Sequence, residues 1–175
     1  MRVLARTLIA TAVTLGGAAA RAQQAPIASP RDTTRATIGS AHLLVDYGRP
    51  SKRSRVIYGG LVPWGEVWRA GANAATTFVT DRPLRMGSTT VPAGTYTLYA
   101  VPSQSGSWLL VVNKQTKQWG TEYHQDQDLA RIPMTTSSVT PSVEQFTIAI
   151  QPQGSGGTID LIWDTTRADV PFSVE

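Results

Sequence analysis

The sequence predicts an all-β, single-domain antiparallel fold, a sandwich or jelly-roll-like barrel. Three observations carry this. Short β-rich runs alternate apolar and polar residues at period 2, turn residues separate them, and no stretch after residue 22 keeps a helical apolar stripe for three turns. Phe146, Ile148 and Ile150 alternate with Gln145, Thr147 and Ala149, while Ile159, Leu161 and Trp163 alternate with Thr158, Asp160 and Ile162. Each run offers one face to a core, and all of these apolar residues are expected to share it, because a one-residue slip would expose the whole set.

The remaining elements follow from the same signals. GTYTLYAV (94–101) and SWLLVVN (107–113) read as a hairpin joined through 102–106, with turns upstream at Met86-Gly87-Ser88 and Val91-Pro92-Ala93-Gly94. Further strands are expected at 38–47, 75–81, 129–134 and 170–174, and a short helical turn at 116–119. On the first of these, Leu43, Val45 and Tyr47 face inward, which turns His42 and Asp46 outward.

At 175 residues, with 41% hydrophobic and 16% charged residues, the chain can bury a core of its own. It has no cysteine, which excludes thiolate metal sites, thiol nucleophiles and disulfide frameworks. The opening MRVLARTLIATAVTLGGAAARA places Arg2 and Arg6 before an apolar run over 8–20, followed by the small residues Ala20 and Ala22. This is the pattern of a cleaved export signal over 1–22, the run being shorter than the about 20 residues that span a bilayer. Polar residues with Pro26 and Pro30 then read as an extended arm or linker over 23–35, ahead of a β-rich domain over 36–175.

The expected location is therefore outside the cytoplasm, periplasmic or secreted, with no membrane insertion after cleavage. Cleavage removes Arg2, Arg6 and Arg21 from the 16 basic residues, leaving 13 against 12 acidic ones. That near balance speaks against nucleic-acid binding, which rests on a basic excess.

The densest stretch is DYGRPSKRSRVIYGGLVPWGEVWRAGAN (46–73). Arg49, Lys52, Arg53 and Arg55 crowd a loop broken by Pro50. Such a cluster is either a solvated basic surface or an anion site, because the guanidinium fork binds carboxylate or phosphate through two hydrogen bonds. Trp64 and Trp68, four residues apart, point the same way on a strand or a helical turn, and in the extended case Glu66 joins them while Arg69 faces away. Tryptophans at this spacing either fill a core or wall a pocket. The candidate ligand-binding residues are Arg49, Trp64, Glu66, Trp68, Arg69 and Asn73, for a small polar, anionic or carbohydrate ligand.

A second cluster, WGTEYHQDQD (119–128), puts Glu122, His124, Asp126 and Asp128 on one face if extended. It lacks the glycine and terminal glutamate of a calcium loop, so a polar surface loop is expected, with no metal and no cofactor. No G-x-S-x-G or H-E-x-x-H motif occurs, so no catalytic residue is assigned. The function expected is a non-catalytic binding module of the cell envelope. The alternative is a glycoside-type hydrolase in which Glu66 works with Asp46 or Asp81 as paired carboxylates.

SPRDTT (29–34), the long block over 46–72, VPAGTYTLYAVP (91–102), NKQTKQWGTEYHQDQDLARIPM (113–134), VEQF (143–146) and WDTT (163–166) together resemble the bacterial family catalogued as domain of unknown function 2911. The resemblance runs from about Ser29 to the C-terminus. It implies exported bacterial proteins with one β-rich domain, and it implies no activity and no catalytic residues.

Overall fold

Alternating side chains pack only if strands pair, and in the computed structural model, which describes residues 28–175, they pair throughout. The expected export signal and residues 23–27 lie outside the described residues. The strands are β1 (Arg31–Ile38), β2 (Ala41–Gly48), β3 (Thr76–Thr80), β4 (Leu84–Met86), β5 (Thr89–Val91), β6 (Gly94–Val101), β7 (Trp108–Asn113), β8 (Asp128–Gln153) and β9 (Gly156–Val174). They form one antiparallel sheet in the order β1-β2-β3-β6-β7-β8-β9-β4-β5.

The sheet does not close into a barrel. The 26-residue β8 carries it from one half to the other. Its first part pairs with β7, as in Trp108 opposite Met134, and the rest pairs with β9 from Thr135 opposite Asp169 onward. Although β2 and β8 lie four places apart in the strand order, Tyr47 of β2 meets Phe146 of β8 edge-on with ring centroids 5.8 Å apart. The sheet therefore curls over on itself around a single core.

The residues expected to share that core do so: Phe146, Ile148, Ile150, Ile159, Leu161 and Trp163 are all buried. Burying side chains of this size contributes about 1.5–3 kcal/mol each. Leu43, Val45 and Tyr47 join them, while His42 stays exposed.

Four local features differ from the sequence reading. The arm expected over 23–35 is, from Arg31, the first half of β1, which the Arg31–Asp46 ion pair and the β2 ladder hold at the sheet edge. The strand expected over 38–47 is broken by a turn at Gly39, whose φ of 58° suits glycine. The separate strands expected within 129–150 are one continuous β8. The turn over 116–119 is not helical. There Gln118 is drawn inward, its Nε2 donating to Thr97 Oγ1 and to the Tyr99 hydroxyl at 3.2 and 3.0 Å, and Trp119 pairs with Ala74. Among the described residues the one helical turn is a 3-10 turn at Gln125–Gln127.

Candidate functional site

After β2 the chain runs through the basic loop and returns to pair Trp68 with Ala100 of β6, backbone to backbone in both directions at 2.8 Å. That bridge fixes where the indole goes. Trp68 lies edge-on to Phe146 at 4.9 Å and stacks on Trp163 at 5.9 Å. One residue on, the Arg69 side chain runs along Gly120, where a methyl group would sit 2.8 Å from Arg69 Cδ and 2.7 Å from the Asn73 carbonyl. Arg69 Nε donates to the Gly71 carbonyl at 3.3 Å. Its terminal nitrogens meet no hydrogen-bond or ion-pair partner among the described residues, although the side chain is half-buried.

These residues border an open cleft of about 460 Å³, within the size range of small-ligand sites. Trp68, Arg69 and Asn73 of the candidate set line it. Arg53, Arg55, Leu61, Tyr99, Tyr123 and Trp163 line it as well. The tyrosine hydroxyls are occupied: Tyr99 donates to the Glu122 carbonyl at 2.9 Å and Tyr123 to Asp128 Oδ2 at 2.6 Å. Burial pushes both hydroxyls up, and of the two rings Tyr99 is buried while Tyr123 keeps part of its surface exposed.

Three candidates lie elsewhere. Arg49 is a cross-link, donating from Nε to the Phe146 carbonyl (3.1 Å), from Nη1 to Asp32 (3.1 Å) and from Nη2 to Thr147 Oγ1 (2.9 Å). Trp64 packs outside the cleft against Tyr58 and Trp108, with centroids 6.0 and 6.4 Å away. Glu66 is exposed and makes no hydrogen bond or ion pair among the described residues. The carboxylates weighed as its partners are engaged, Asp46 by Arg31 and Thr33 and Asp81 by His42. The acidic residues of 119–128 do not gather either: among the described residues no three His, Asp or Glu side chains converge as metal ligands.

The basic loop divides in the same way. Lys52 is neutralised by Asp164 at 2.5 Å. Arg53 and Arg55 have no carboxylate partner among the described residues; Glu144 accepts from the Arg53 backbone N–H at 3.0 Å. Arg55 folds back, with Nε on the Lys52 carbonyl at 3.0 Å and Nη2 on that of Ser51 at 2.6 Å. No acidic side chain lines the cleft. The sequence reading missed Tyr99, Tyr123 and Trp163, whose approach depends on pairings 20 to 100 residues long; the one local hint was the aromatic within WGTEYHQ.

Fold and site together define a curled antiparallel β-domain with an aromatic-walled, cation-lined cleft. The chain belongs to the family described as "Protein of unknown function (DUF2911)", which matches residues 29–172. No curated protein and no solved structure matches it.

Proposed function

We propose that this protein is a non-catalytic binding module of the cell envelope that holds a small anionic ligand in the cleft between Trp68, Arg69 and Arg53. One observation carries the reading. Arg69 is half-buried, its Nε is anchored to a carbonyl, and among the described residues its two terminal nitrogens have no protein partner and no carboxylate lines the cleft. A guanidinium fixed in a cleft with no counter-charge beside it is available to an anionic ligand, which it grips through a two-point hydrogen bond. The export-signal pattern read from the sequence over 1–22 is what supports the placement, and intact-mass measurement of the exported protein, expected to begin at Gln23, checks it.

No observation favours the hydrolase alternative. Glu66 does not line the cleft, and the carboxylate pair that glycoside cleavage requires is absent from its lining. The test of the binding reading is calorimetric titration with benzoate and inorganic phosphate, repeated on Arg69→Gln. At least one anion is expected to bind, with affinity falling about tenfold or more in the variant. Equal binding by both proteins would overturn the assignment.

A further inference from the structure

Three of the described cations without a carboxylate partner gather at one cleft. Arg31, Arg49, Lys52, Arg85, Arg131 and Arg167 each meet a carboxylate. Of the seven described cations that do not, Arg53, Arg55 and Arg69 border the same cleft, while Arg35, Arg82, Lys114 and Lys117 lie away from it. Two of the three share a further feature: Arg55 and Arg69 both rest Nε on a backbone carbonyl, which fixes the shaft before any ligand arrives. A site built for one carboxylate needs one such fork, and adding two more like charges around it would raise their mutual repulsion without a gain. Three guanidiniums facing an acid-free cleft match a group that carries more than one negative charge and several acceptor oxygens. A phosphate monoester, at about −1.5 to −2 near neutral pH with three acceptor oxygens, has that chemistry.

The walls supply the rest of the description. Tyr123, half-buried and set edge to face against the buried Tyr99 with ring centroids 5.0 Å apart, has its hydroxyl turned to Asp128, and Trp68 completes an aromatic side. Such surfaces receive a flat ring.

Resting on the binding reading above, we infer that the ligand is a small phosphate monoester carrying a flat ring, with Arg69, Arg53 and Arg55 on the phosphate and Trp68 beside the ring. The competing source of the same phosphate chemistry is a lipid headgroup, because Val56 and Leu61 are exposed next to these arginines.

The experiment is calorimetry at fixed ionic strength with four probes: adenosine monophosphate, inorganic phosphate, benzoate and adenosine. Adenosine monophosphate is expected to bind tightest, with inorganic phosphate and benzoate each weaker by about tenfold or more. Arg53→Gln, whose side chain makes no hydrogen bond to lose, is expected to weaken both anions, and adenosine monophosphate several-fold more than benzoate. Benzoate binding as tightly as adenosine monophosphate overturns this inference and leaves the anion-binding reading standing. Absence of binding by all three anions, or equal binding by adenosine, overturns both. Co-sedimentation with phosphatidylcholine vesicles doped with phosphatidic acid, without binding of adenosine monophosphate, assigns the phosphate to a lipid and overturns the small-ligand inference.

Discussion

Trp68 lies nearly parallel to Trp163, their ring centroids 5.9 Å apart and their planes 17° from parallel, and only the first of the two reaches the surface. Trp163 is fully buried, and its Nε1 donates to the Glu144 carbonyl at 3.1 Å. The stack therefore joins the core of the curled sheet to the wall of the cleft. Trp163→Ala should cost about 3–5 kcal/mol, since it opens a cavity and strands a carbonyl. Trp68→Ala should cost less in urea unfolding and should abolish ligand binding. The reverse order of stability losses would show that the core is centred elsewhere.

Tyr58 gives a prediction of the opposite sign. It is wedged among Trp64, Trp68 and Trp108, and its hydroxyl is buried with no hydrogen-bond partner among the described residues. Burial pushes that hydroxyl well above its ordinary value. Replacing an unsatisfied buried polar group by an apolar one of the same shape is nearly neutral or stabilising, so Tyr58→Phe should leave the melting temperature at neutral pH unchanged or raise it. In alkali the sign is also fixed. A raised folded pKa contributes stability that is complete below the ordinary tyrosine value of 10.0 and fades as pH climbs toward the folded one. The variant should lose less stability than the parent above pH 10, which melting curves across that range would measure.

What the sequence made legible was what repeats at period 2 over a buried face. Ile148, Ile150, Ile159 and Leu161 could be placed because a two-residue rhythm with a dry side has one solution. The run RDTTR at 31–35 has no such rhythm: it belongs to an edge strand whose register comes from its partner β2 and from the Arg31–Asp46 pair, neither visible locally. The site was legible to the same extent. Composition located the loop over 49–73, but which of its cations stay unpaired is decided by Asp32, Asp164 and Glu144, all distant in the chain. Arg49 and Arg69 look alike as letters and differ only in whether a carboxylate from another strand reaches them.

That difference is open to direct measurement. Arg49 ties the end of β2 to Phe146 and Thr147 of β8, so Arg49→Ala should lower stability by about 1.5–3 kcal/mol while leaving ligand affinity nearly intact. The matched change at Arg69 should do the reverse. Loss of binding without loss of stability in the Arg49 variant would move that residue into the site.

The last prediction concerns acid. Asp164 sits in a left-handed backbone conformation, φ 54°, in β9, where Lys52 Nζ and Ser142 Oγ donate to the same carboxylate oxygen at 2.5 and 2.7 Å. The Lys52 hydrogen bond, with that of Ser142 behind it, holds the carboxyl below its ordinary value of 3.8. A depressed folded pKa means that the unfolded chain takes up the proton first. The stabilisation is therefore complete above 3.8 and is lost as pH falls from there through the lower folded value. Asp81, also depressed by hydrogen bonds from the His42 backbone and ring, titrates in the same direction but is exposed, and salt and solvent screen its share. Asp164→Asn should therefore lower the melting temperature at pH 7 and flatten its fall below pH 4, whereas Asp81→Asn should change the acid limb less. The larger flattening in the Asp81 variant would mean that the loop edge, rather than the link between the basic loop and β9, gives way first in acid.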